Sequence, residues 1–156
     1  MKIIILSVGK KHDEFIKGIV SEYEKRLGHY VDLSWQFVPG QITDSKNAHD
    51  GVEREGKEIL NKLEPVDRVI LLDEIGREWS TMDLAEAMES FQSQSIKRLV
   101  FIIGGAYGVS KSIRLRAQYT WSLSKLTFPH MLVRVILVEQ LYRAFSILNG
   151  SKYHHE

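Results

Sequence analysis

The 156-residue sequence contains no cysteine, which excludes disulfides and thiolate metal sites and permits a reducing compartment. Its histidines lack metal-ligand spacing, since His154 and His155 are adjacent and the nearest acid, Glu156, is the last residue. No metal requirement is therefore expected. No apolar run is long enough to cross a bilayer. The opening MKIIILSVGK turns polar quickly and lacks a small-residue cleavage site, so it reads as a first strand. A G-x-S-x-G elbow is missing, and the serines have no histidine-acid series behind them, which leaves hydrolase chemistry poorly supported. The dinucleotide pattern G-x-G-x-x-G fails because Gly104 and Gly105 are adjacent. Gly105–Ser112 approaches a phosphate-binding loop, but Ser110 stands where the second glycine is needed. The apolar run Val69–Glu74, ending in acids, also precedes that loop instead of following it.

What remains is ordinary for a globular protein: 44% hydrophobic residues, 26% charged, and enough length for one domain spanning 1–156 with a proper core. The net charge of +1 conceals an asymmetry. Residues 1–96 hold 12 Lys and Arg against 18 Asp and Glu, whereas residues 97–156 hold 9 against 2. Such a block is either a solvated face or a surface that meets a polyanion.

Strand and helix patterns alternate, as expected for an α/β fold with a mainly parallel sheet. Strands are expected at Lys2–Val8, Val31–Val38, Arg68–Leu72, Leu99–Ile103 and Tyr119–Leu123. Phe15, Ile16, Ile19, Val20, Tyr23 and Leu27 fall at helical spacing, with Gly28 as the stop. Ala48, Val52, Ile59, Leu60 and Leu63 mark a second helix ended by Pro65, and residues 40–47 read as an exposed loop. Ser80 or Thr81 caps a third helix carrying Leu84, Met88 and Phe91 inward.

The last helix, roughly Leu132–Asn149, is apolar over most of its circumference. Glu139, Arg143 and Ser146 share a narrow polar stripe, with Arg134 on nearly the opposite side. A helix apolar on several sides needs several covers. A second subunit is one such cover, with Leu141 as a contact position.

The segment LVFIIGGAYG (99–108) places permissive glycines after a buried strand, and WSLSKLTFPH (121–130) leads from a short strand into an apolar loop. Such backbone can close around a small ligand while offering neither a nucleophile nor a metal cage, so a bound cofactor would supply the reactive group. His130 after Pro129 reads as part of a turn.

The series VILLDEIGR (69–77), FIIGGAYG (101–108), LSKLTFPHMLVRV (123–135), EQLYRAF (139–145) and KYHH (152–155) resembles the small SPOUT methyltransferases, as do MKIIILSVGK and EYEKRLG (22–28). More narrowly, it resembles their ribosomal large-subunit type H branch. The resemblance spans essentially the whole chain. It implies an α/β parallel-sheet fold with a C-terminal trefoil knot, a homodimer, a cytoplasmic location, no membrane association, and S-adenosyl-L-methionine as methyl donor. The implied reaction is N3-methylation of a pseudouridine in 23S rRNA, on assembled ribosomes. A tRNA methyltransferase of the same fold and a non-catalytic knotted assembly factor are the alternatives. By resemblance, donor contacts fall at Leu72, Gly104, Leu123, Ser124, Lys125, Leu126, Thr127 and Phe128, and Lys125 contributes either its side chain or only its main chain. The resemblance brings Arg143, Tyr153 and His154 near the acceptor, where His154 can accept the imide proton and Arg143 can stabilise the anion, alone or in shared roles; the sequence assigns no unique base. Glu139 is expected to pair with Arg143, and Tyr142 and Arg134 are open to structural roles.

Overall fold

Runs of β-branched residues without polar alternation need cover on both faces of a sheet, and the fold supplies it. The computed structural model describes residues 1–41 and 45–150. Five parallel strands, β1 (Lys2–Val8), β2 (Asp32–Val38), β3 (Arg68–Glu78), β4 (Arg98–Ile103) and β5 (Tyr119–Ser122), form one sheet in the order β2-β1-β4-β3-β5. The helices are α1 (Glu14–Leu27), α2 (Ala48–Lys62), α3 (Thr81–Ser93), α4 (Lys111–Arg116) and α5 (His130–Leu148).

The period-two geometry of the strands divides the core into two layers. Ile3, Ile5, Ile70, Leu99, Phe101 and Ile103 pack toward Leu27 of α1, Met88 and Phe91 of α3, and Leu137, Leu141 and Phe145 of α5. Ile4, Leu6, Val8, Val69, Leu71, Val100 and Ile102 pack on the opposite side with Ile59 of α2 and Ile113 of α4. Local signals agree with these elements. Asp13 caps α1 by accepting from the Ile16 N–H at 3.1 Å. Ser80, rather than Thr81, caps α3 in a reciprocal box with Asp83, and its hydrogen bonds hold the Asp83 carboxyl below the ordinary range.

Two elements depart from the sequence expectation. β3 does not stop at Leu72. Its pairing with β5 shifts register between Leu72 and Arg77 and then resumes at Arg77 and Glu78. The polar stretch Asp73-Glu74-Ile75-Gly76 hides this continuation, because it shows no alternation. Gly76 is required there, since a Cβ would lie 2.6 Å from the Thr120 carbonyl oxygen. Beside the resumed pairing, Trp79 stacks on Trp121 with ring centroids 5.4 Å apart. The second departure is α4, whose six residues are too few to display a helical period.

Helix α5 finds most of its cover within its own chain. It lies on the sheet and packs against both α1 and α3, so Leu141 is wholly buried in the core and cannot be a subunit contact in this fold. Ser146 is also fully buried, so the polar stripe ends at Arg143. Outward apolar surface does remain on the packed α1–α5 pair, at Phe15 (94% exposed), Ile19 and Leu132.

Candidate functional site: a cleft at the strand ends

In a parallel sheet the loops that follow the strands converge at one edge, where ligands collect. Here the C-terminal ends of β3, β4 and β5 open into a cleft of about 730 Å³. Three segments distant in sequence meet in it: Leu72 from β3, Gly104 immediately after β4, and Leu123, Ser124, Leu126, Thr127 and Phe128 after β5. These are seven of the eight residues that the family resemblance singles out for the donor. The eighth, Lys125, is exposed and does not line the cleft.

Close packing explains the residue types. A Cβ on Gly104 would sit 2.7 Å from Val109 Cγ1 and 3.3 Å from the Gly108 carbonyl oxygen, so a side chain here would force the glycine turn open. That turn is closed by the Gly108 N–H donating to the Gly105 carbonyl at 3.1 Å. On the β5 side, Ser122 Oγ donates to the Ser124 carbonyl at 2.9 Å, and the Leu126 N–H donates to Ser124 Oγ at 3.0 Å. These bonds fold the loop so that Leu126 stands 69% exposed at the cleft, an apolar side chain with surface to bury against a ligand.

Ionisable residues that sequence reasoning left out also line the cleft: Asp73, Glu74, Arg114 and His130. Asp73 is ion-paired with Arg114 at 2.7 Å. Thr127 Oγ1 donates to Glu74 Oε2 at 3.0 Å, linking the β3 extension to the β5 loop. The acids of VILLDE enter both the nucleotide-binding comparison and the family resemblance, yet neither pattern marks Asp73 or Glu74 as cleft residues, and the sequence reads His130 only as part of a turn. It is instead the first residue of α5, whose N-cap, Pro129, supplies no side-chain capping bond.

Behind His130 lies Arg134, fully buried and, among the described residues, without a carboxylate in ion-pair contact. Its Nε and a terminal nitrogen donate to Ser7 Oγ at 3.1 and 3.0 Å, and its guanidinium lies 5.1 Å from the Phe37 ring centre. Burial lowers the pKa of Arg134, with the Asp13 charge opposing the shift. Desolvation also pushes the His130 imidazole below its ordinary pKa, the Arg134 charge adds to this, and Asp13 again opposes it. His12, in the loop between β1 and α1, is shifted downward by the same influences.

Arg143 does not reach the cleft lining. It projects from α5 with Nε donating to Glu139 Oε1 at 3.0 Å, which is the expected i, i+4 pair. Tyr153 and His154 lie outside the described residues. Among the described residues, no three His, Asp or Glu side chains are grouped to hold a metal ion, and no helix is long and apolar enough to cross a membrane.

A family model described as predicted SPOUT methyltransferase matches residues 1–154. The chain is 40% identical, over the full length of both proteins, to the ribosomal RNA large subunit methyltransferase H of Parabacteroides distasonis. Its identity to the protein of the same name from Flavobacterium johnsoniae is 39%, again with complete coverage of both. Among solved structures, a probable methylase family protein from Haemophilus influenzae Rd KW20 superposes with a TM-score of 0.56 at 14% identity, covering 99% of this chain and 70% of that one. That likeness speaks for the fold alone.

Proposed function

The chain belongs to the SPOUT methyltransferase family, and from that premise we propose that it transfers a methyl group from S-adenosyl-L-methionine to N3 of a pseudouridine in 23S rRNA, on assembled ribosomes. The observation that carries this reading is the convergence of Leu72, Gly104 and the 123–128 loop on one cleft. The residues present fit the donor. Leu72, Leu123, Leu126 and Phe128 offer apolar walls for a purine, and the bare backbone at Gly104 leaves room for close main-chain contact. The bound donor supplies an activated methyl, whose bond to sulfur breaks as its bond to N3 forms, leaving a neutral thioether.

What the protein must add is position and a route for the imide proton, because N3 is a poor nucleophile until that proton leaves. Arg143, Tyr153 and His154 belong to this reading as the residues that close on the acceptor. The basic block of residues 97–156 supports an RNA-facing surface. A homodimer is also part of the proposal, supported by the outward apolar side chains of the α1–α5 pair. So is the trefoil knot: β5 lies at one edge of the sheet, yet the following α5 crosses back to β1, where Arg134 bonds Ser7. A cytoplasmic location follows from the ribosomal substrate.

Methyl transfer from labelled S-adenosylmethionine tests the proposal, with assembled ribosomes, naked 23S rRNA and tRNA as competing acceptors. Label at a pseudouridine N3 in ribosomes is the expected result. Label in tRNA alone would assign the chain to tRNA modification, and donor binding without transfer to any acceptor would leave an assembly factor. Light scattering on the same preparation should report twice the chain mass.

A further inference from the structure

The corner where α5 begins gathers two histidines with ring nitrogens that lack partners among the described residues and a buried guanidinium that bonds only neutral groups among them. The His130 imidazole lines the cleft and makes no hydrogen bond among the described residues. Its Nε2 lies 3.5 Å from the position a Cβ would take on Gly9, and an Arg134 terminal nitrogen lies 3.8 Å from the same point. Arg134 is a buried cation bonded to a hydroxyl, a thioether sulfur and a carbonyl, with no anion in contact among the described residues. His12 Nδ1 is buried without a partner among the described residues, its ring held edge-on against Trp35 and Phe37. Buried polar groups are normally satisfied, and an uncompensated buried cation is costly. The positive end of the α5 dipole, uncapped by any side chain, adds to the same field. Against the opposing charge of Asp13, these groups together favour a negative charge arriving from the cleft.

Resting on the proposed reaction, we infer that His130 is the group that takes the N3 proton of the acceptor base, and that Arg134 acts behind it as a positioning residue stabilising the imide anion. The N3–H bond breaks, its electron pair stays on nitrogen, and the proton passes to an unprotonated ring nitrogen of His130. Burial and the Arg134 charge keep that imidazole neutral beforehand, so it can accept a proton. The same influences drive the proton off to solvent after transfer, readying the next turnover. Arg143, paired with Glu139 and absent from the cleft lining, and the tail residues Tyr153 and His154 are thereby left to engage and orient the RNA.

The test compares the unmodified protein with His130→Ala and His130→Gln, using S-adenosylmethionine and assembled ribosomes that lack the modification. Calorimetry reads donor affinity, ribosome binding is measured separately, and single-turnover transfer is followed at saturating donor and acceptor. Both variants should bind donor and ribosome as the unmodified protein does, yet transfer about 100-fold more slowly or worse. Added imidazole should recover part of the rate in His130→Ala, and none in His130→Gln, where the cavity is filled. Unchanged transfer in the variants overturns the inference. So does a loss that follows weakened donor binding, or a loss in His130→Ala that imidazole leaves untouched. If the unmodified protein itself transfers no methyl group to the ribosomes, the proposed function fails instead, independently of His130.

Discussion

The two rims of the cleft are built on opposite principles. The β3 rim carries Asp73 and Glu74, and each has a neighbour engaging its carboxylate: Arg114 for the first, Thr127 for the second. The α5 rim carries the half-buried His130 with the fully buried Arg134 behind it, and among the described residues no carboxylate is in ion-pair contact with either. Asp73, its side chain only 11% exposed, is already neutralised by Arg114, and Glu74 is held by a neutral hydroxyl, so this rim's charge is largely committed. A desolvated cation without a counter-ion is a standing electrostatic field that responds to whatever charge develops near it. The first rim therefore suits binding, and the second suits a reacting centre.

The comparison breaks most completely where neither rim acts. A chain truncated after Lys152 should keep its melting temperature and donor affinity while losing about 100-fold or more in methyl transfer, because the acceptor is no longer oriented between the rims. Full activity in that truncation would remove Tyr153 and His154 from the mechanism. Next in size is Gly104→Val, which places a branched side chain against Val109 and Gly108 on the floor between the rims. Donor affinity measured by calorimetry should fall about 10- to 100-fold, as expected for an overpacked contact. Unchanged affinity in a folded variant would move the donor elsewhere.

The α5 rim alone should make stability depend on pH near neutrality. His12 and His130 have folded pKa values below 6.5, so in the interval beneath 6.5 the unfolded chain binds more protons than the folded one. Stability is then retained above that interval and lost as pH falls through it. Thermal melts should show the midpoint declining by about 2–4 °C for each kcal/mol lost. The decline should be shallower in a His12→Gln, His130→Gln double variant. An equal slope in both proteins would mean that the rim carries no such desolvation. The smallest effect belongs to the β3 rim: Glu74→Gln leaves the link to Thr127 weakened but not removed. Donor affinity should drop by only about two- to tenfold, and calorimetry would sharpen the contrast if the change approached that of Gly104→Val.

The hydrophobic pattern disclosed the sheet better than the site. Lys2–Val8 and Leu99–Ile103 were legible because continuous β-branched and apolar runs have few other uses, and both are buried strands. The continuation of β3 through Asp73–Glu78 was hidden because its geometry is set by pairing with β5 across 49 residues, from Leu72 to Trp121, rather than by local pattern. Leu141 was misplaced for a related reason. Periodicity shows that a helix face is apolar but not whether a neighbouring helix or another subunit covers it. In the cleft, the loop after β5 was legible through its family resemblance. Its ionisable partners were not, since the proximity of Thr127 to Glu74 and of Arg134 to Ser7 arises only when the chain folds back on itself.

The Trp79–Trp121 stack gives the molecule a built-in optical gauge. Two indoles with centroids 5.4 Å apart and planes 19° from parallel share their electronic transitions, so their circular dichroism is an exciton signal sensitive to spacing and angle. The third tryptophan, Trp35, is on β2 at the far edge of the sheet and stacks instead on Phe37. The couplet thus comes from the junction of β3 and β5, the two strands whose ends form one side of the cleft. Any ligand that moves one strand against the other will write that movement directly into the spectrum, without a dye or a label.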